Sequence, residues 1–184
     1  MKDIELRLMV ELLKNSHRSD RELARAIRVS QPTITRIRAK LEIEQAIKEY
    51  TIIPDYSQLG FTMMSITFTK MKEGLTKEIA DDLTKRARNM MSGYPSALIL
   101  GNTGMGLDAD YVTIALHKDY GEYTKFMSDI RGFPHTNIDE TKSFIIDLLG
   151  KNQFQHLSFQ YLAGYLAKSV MNSQSAHATS SPTK

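Results

Sequence analysis

Apolar residues at Leu6, Met9, Val10 and Leu13 recur at i, i+3, i+4 and i+7 and predict a helix from about Asp3 to Asn15. The polar run SHRSD ends it. Ser19 stands three residues before Glu22, the spacing at which each side chain satisfies the other's unpaired backbone N–H. A second, short helix is therefore predicted to run to about Ile27, with Leu23, Ala26 and Ile27 turned inward. Ser30, Gln31 and Pro32 then start a helix afresh. The serine oxygen can accept from a free N–H of the first turn, where proline gives up an N–H that has no partner anyway. This third helix, about Gln31 to Glu44, buries Ile34, Ile37 and Leu41. Alternation from Ile47 to Ile53, stopped by Pro54, predicts a short strand that forms a wing or lid on the three helices.

Beyond Phe61 the period changes. Met64, Ile66 and Phe68 alternate with small polar residues as in a strand, and Leu75, Ile79, Leu83 and Ala87 return to helical spacing. SALILGN and DYVTIALH read as two strands around the glycine-bearing TGMGLDA. Tyr120, Tyr123, Met127 and Ile130 mark another helix, and ETKSFIIDLL a last strand. The order βαββαβ closes into an antiparallel four-stranded sheet with both helices on one face, the ferredoxin-like arrangement. An apolar uncovered face would then be buried by a second copy. After Gly150, Leu157, Tyr161, Leu162, Tyr165, Leu166 and Val170 predict an amphipathic helix, interrupted by Gly164, that packs on the sheet of its own or a neighbouring subunit.

The reading is thus α+β: a winged helix-turn-helix over residues 1–54, a linker over 55–60 and a ferredoxin-like domain over 61–150. A helical extension over 151–171 and a polar tail over 172–184, predicted to be disordered, follow.

Charge gives the first unit a purpose. The whole chain carries only +3, but from Arg18 to Lys40 seven basic residues face the two acids Asp20 and Glu22, a local excess that suits a polyanion. On the third helix Thr33, Arg36 and Lys40 point away from the buried stripe, with Thr35 on one flank and Arg38 nearer its edge. Arginine can donate two parallel bonds to guanine, and threonine can bond a base or cover a thymine methyl. Short helix, tight turn and proline-started basic helix together read as a helix-turn-helix. Gln31, Thr33, Thr35 and Arg36 are placed nearest base edges, and Arg25, Arg28, Arg38 and Lys40 nearer phosphates, with Ser30 at the helix start.

Other chemistry is narrowed by composition. With no cysteine, thiolate nucleophiles, sulfur-ligated zinc and iron–sulfur clusters are excluded, and the five scattered histidines show no helical metal-site pair. No catalytic residue, metal site or cofactor is assigned. No apolar run approaches the roughly 20 residues of a membrane span, and MKDIELRL is charged where a signal peptide is apolar, so a cytoplasmic protein is expected.

The stretch from Glu5 to Phe61, above all IKEYTIIPDYSQLG, resembles the DNA-binding half of the Lrp/AsnC (leucine-responsive, feast/famine) transcription regulators, and the likeness extends from about Asp3 to Leu149. That family usually has glycine in the turn where this chain has Arg28. A non-glycine residue there either meets a slightly different turn or bears a cost on the order of 1 kcal/mol at positive φ. The resemblance implies a dimeric, sequence-specific regulator that binds double-stranded DNA, with tetramers or octamers as larger assemblies.

For GNTGMGLDADY a phosphate loop is excluded, because a strand follows it and no Gly-Lys-Ser/Thr is present. Two readings remain: a mobile hairpin turn with glycine supplying positive φ, or, as the resemblance implies, an effector site. In the second, Thr103, Gly104, Met105 and Gly106 would hold an amino acid's carboxylate and Asp108 or Asp110 its ammonium group. The alternative function is an enzyme, since siroheme decarboxylases are similar to this family in both domains; few basic residues of the second domain, Lys118, His117, Lys125, Arg131 and His135, could line a pocket for such a substrate. An assembly partner without DNA binding would predict erosion of the basic face, which is intact.

Overall fold

The computed structural model describes residues 1–72, 76–78, 81, 82, 85, 97–132, 138–150 and 157–178. These form two compact units. One comprises Met1–Ile53 and the C-terminal helix; the other begins at Pro54 and holds the sheet.

The first unit starts with α1 (Asp3–Lys14), α2 (Asp20–Ile27) and α3 (Gln31–Ile43). Their common core is Leu8, Leu12, Leu23, Ala24, Ile27, Ile34, Ile37, Leu41 and Ile47. Two inward assignments change: Ala24 is buried where Ala26 was expected, and α1 turns Leu8 and Leu12 to the core rather than Leu6 and Leu13. Arg7 of α1 donates to the Ile27 carbonyl at 2.7 Å, satisfying an acceptor that the end of α2 leaves open.

No ladder forms over 47–53. Ile47 tucks under the helices, whereas Ile52 is 80% exposed and Ile53 38%. An alternating sequence becomes a strand only beside another strand, and none lies next to this one in its unit. The helix-turn-helix therefore has no strand wing among the described residues.

The last helix, α5 (Gln160–Ala178), expected on a sheet, packs against α1 of its own unit. Ala163 of this helix is fully buried. Val10 of α1 is buried without joining the core of the three helices, so α1 is apolar on two sides. The helix also continues to Ala178, past the expected boundary at Met171, through residues that include no proline or glycine.

The second unit carries β1 (Met63–Met71), β2 (Ala97–Gly106), β3 (Ala109–His117), α4 (Tyr120–Arg131) and β4 (Ile138–Asp147). The sheet is antiparallel in the order β2-β3-β1-β4. The helix expected over 75–91 lies largely outside the described residues; Lys77, Glu78, Asp81, Asp82 and Lys85 are helical. His135 and His156 also lie outside them.

The sheet's two faces are unlike. Ser65, Thr67 and Thr69 are buried on the α4 side, where Thr67 and Ser143 share a hydrogen bond at 2.9 Å and both reach the Met127 sulfur. His117 is buried there among Tyr123 and Phe126, with Nε2 2.8 Å from the Ser65 hydroxyl. Burial holds its imidazole below the ordinary histidine value, against the smaller opposing pull of Glu122. The opposite face presents Met64, Ile66 and Phe68 between Val112, Ile114 and Leu116 on one side and Phe144 and Ile146 on the other. Phe144 is 65% exposed.

Candidate nucleic-acid interface

Ser19 closes its capping box as expected: its hydroxyl accepts from Glu22 N, and its own N–H donates to Glu22 Oε2 at 2.8 Å. Ser30 caps α3, accepting from Thr33 N at 3.4 Å and sharing a hydrogen bond with the Thr33 hydroxyl at 2.8 Å. Between them Arg28 sits at φ 64, ψ 50, left-handed, as the residue that caps the C-terminal end of α2. The turn is thus the glycine-type turn, held by arginine at a conformational cost. Arg28→Gly is expected to raise the free energy of urea unfolding by about 1 kcal/mol. It should also weaken nonspecific DNA binding by one phosphate contact, measured as a shallower salt dependence.

The basic residues divide into two groups. Arg18 pairs with Glu11 of α1, Lys40 reaches Glu5 of α1 at 2.7 Å and Glu44 at 3.6 Å, and Arg38 pairs with Asp20 at 2.8 Å. Glu5 is buried, and the Lys40 hydrogen bond, followed by the Lys2 amide, keeps its carboxyl below the usual range. Lys40 and Arg38, expected on phosphates, are therefore engaged within the unit. Arg21, Arg25, Arg28 and Arg36 are exposed and have no ion-pair partner among the described residues. Arg21 was not among the sequence-predicted contacts, although its place in the first turn of α2 pointed to it.

At the reading helix itself, Gln31 and Arg36 are exposed and Thr33 is half-buried beside its cap. The Thr35 hydroxyl donates to Asp20 Oδ2 at 2.6 Å. Asp20 thus receives both Thr35 and Arg38 and fixes α3 against α2. Tyr50, just past the core, lays its ring 5.7 Å from the Arg38 guanidinium carbon and donates its hydroxyl to Glu42 at 2.7 Å. Burial first, then Glu42, pushes the Tyr50 hydroxyl up, which keeps it a donor.

The hairpin of the second unit is shorter than the sequence suggested. Thr103, Gly104, Met105 and Gly106 belong to β2, and the turn proper is Leu107 and Asp108, both at φ 54. Positive φ is supplied mainly by these two rather than by glycine, in the pattern of a tight two-residue hairpin. Asp108 pairs with Lys70, and Asp110 accepts from the Met71 amide at 2.9 Å, so both carboxylates already have partners. Among the described residues no group of three His, Cys, Asp or Glu converges as a metal site would require, and no helix is long and apolar enough to cross a membrane.

No protein-family model matches the chain. In sequence it is similar to the transcriptional regulator FL11 of Pyrococcus horikoshii, 26% identical over 140 residues, 75% of this chain and 84% of FL11. It is also similar to the regulator LrpC of Bacillus subtilis, 38% identical over 69 residues, 38% of this chain and 48% of LrpC. The solved structure of LrpC matches with a TM-score of 0.63 at 22% identity, covering 84% of this chain and 99% of that one. A transcriptional regulator of Neisseria meningitidis solved in complex with L-Met matches with a TM-score of 0.66 at 15% identity, covering 88% and 99%. The relatives and the matching folds are regulators of the Lrp/AsnC type, the family that the sequence resembles.

Proposed function

We propose that the chain, which shares the sequence pattern and fold of the Lrp/AsnC-type regulators, is itself a sequence-specific DNA-binding transcriptional regulator that acts as a dimer or larger assembly. One observation carries the reading: a capped, proline-started helix carries Arg36 on its open polar face, with Arg21, Arg25 and Arg28 on the preceding helix and turn, and none of the four has an ion-pair partner among the described residues. Laid in the major groove, α3 offers Arg36 and Gln31 to base edges. Arg21, Arg25 and Arg28 lie on the neighbouring helix and turn, where phosphates flank such a helix. The relatives are named as regulators, and the basic residues available to a decarboxylase pocket remain few, so nothing favours the enzyme.

A small effector such as an amino acid is part of the proposal. The Neisseria regulator is solved with L-Met, and here β2 is a sheet edge near whose hairpin end, around Thr103 to Gly106, a carboxylate could be received, although the Thr103 amide would first have to leave the Asn102 side chain. An ammonium group would have to displace Lys70 from Asp108, an exposed and therefore weak pair. Binding there would favour one assembly over another, a coupling of typically about 1–3 kcal/mol.

Selection from a pool of random duplexes is the direct test, and one recurring, roughly palindromic sequence is expected. Three phosphate-facing arginines per subunit predict, for a dimer, that log affinity falls with log salt at a slope of about −5. A flat salt dependence, or no recurring sequence, overturns the reading.

A further inference from the structure

Arg38 lies on the helix proposed to read DNA, yet its side chain is engaged within the protein. Its side chain is 21% exposed, it pairs with Asp20 at 2.8 Å, and it donates to the Arg18 carbonyl at 3.3 Å. Its Nε is buried and has no acceptor among the described residues. A buried donor left unmet makes this arrangement costly, so something must hold the guanidinium in place. The group that lies over it is Tyr50, whose ring attracts the cation. Tyr50 is itself fixed to α3 through Glu42. It is also part of the segment that leaves the helical unit for the sheet, three residues before Ile53.

We propose that Tyr50 is a positioning residue that latches Arg38 inside the reading head, so that the path of the connecting segment sets how many cations α3 presents to DNA. With the latch closed, Arg38 and Thr35 both serve Asp20, α3 is held firmly on α2, and specific contacts fall to Gln31 and Arg36. With Tyr50 withdrawn, the guanidinium loses the attraction of the ring. Arg38 can then take a phosphate, which would also satisfy its orphan Nε–H. The closed state favours discrimination and the open state favours indiscriminate attraction. This rests on the DNA-reading function proposed above.

The test uses the full chain, the selected duplex and an unrelated duplex of equal length. Tyr50→Ala should lower the ratio of specific to nonspecific affinity at least five-fold. It should also steepen the nonspecific salt slope by about 0.9 per subunit, the signature of one added phosphate contact. Tyr50→Phe keeps the ring but loses the hydroxyl bond to Glu42, and should fall between the wild type and Tyr50→Ala in both quantities. In an Arg38→Ala background Tyr50→Ala should change neither quantity, since the group it releases is gone. A protein that has merely lost stability would bind both duplexes less in proportion and leave ratio and slope alone. Wild-type ratio and slope in Tyr50→Ala, or changes that recur undiminished without Arg38, overturn the latch. Failure of the wild type to prefer any duplex overturns the DNA-reading function instead.

Discussion

Arg36→Ala lowers affinity for the selected DNA site by about 1–3 kcal/mol, roughly 5- to 150-fold, and leaves affinity for unrelated duplex nearly unchanged. The expectation follows from its surroundings. Arg36 is exposed on α3, nearly two turns after the Ser30 cap, and no ion-pair partner among the described residues competes for its five donors. Arg38, two positions on, faces Asp20, and Lys40 faces Glu5, so neither can replace it without breaking a pair. Lysine at position 36 should restore the nonspecific affinity but only part of the discrimination, because an ammonium group cannot make the planar two-bond contact. Titration of both duplexes at one salt concentration decides the matter. An equal loss on each would make Arg36 a phosphate contact and would falsify its role in base reading.

Which parts were legible depends on whether their signal was local. The caps at Ser19 and Ser30 use side chains within three residues of the groups they satisfy, and both formed as the spacing implied. The four strands and α4 likewise follow from alternation and helical period. The partners of Lys40 and Arg38 were not legible, because Glu5 lies 35 residues from Lys40 and Asp20 is 18 from Arg38; a charge run shows its sum, not its pairs. The segment from Ile47 to Ile53 alternates like a strand but has no neighbouring strand in its unit. The packing of α5 did leave a trace. Ile4, Leu6, Leu8, Met9, Val10, Leu12 and Leu13 are too many apolar residues for one stripe of α1, and a second helix on its other side accounts for the surplus. The hairpin misled because three glycines suggested a loose loop, whereas Leu107 and Asp108 make the turn.

Ile66→Asp should convert the protein to monomers at micromolar concentration and reduce affinity for a palindromic site by about 10²- to 10⁴-fold, the advantage of two linked reading heads over one. The sheet supplies the reason. In a two-layer domain the apolar face of a sheet ordinarily lies under the helices. Here the face under α4 is mixed, with Ser65, Thr67, Thr69, Thr113 and His117 all buried beside Ala115 and the partly buried Leu98 and Ile138. Met64, Ile66, Phe68, Val112, Ile114, Phe144 and Ile146 are left on the other side, where Phe144 remains 65% exposed. A contiguous apolar surface on three adjacent strands calls for a cover, and an identical surface related by a dyad supplies one in the closed symmetry that most oligomers adopt. An aspartate at position 66, in the middle of β1 between Ile114 and Phe144, would be buried against its own copy without a counter-charge. Lys125→Asp, on the exposed side of α4, makes a comparable or larger change of charge away from that face and should leave the dimer intact. Sedimentation velocity of the two variants separates the cases: a dimer that survives Ile66→Asp and dissociates with Lys125→Asp would place the subunit contact on the helical side.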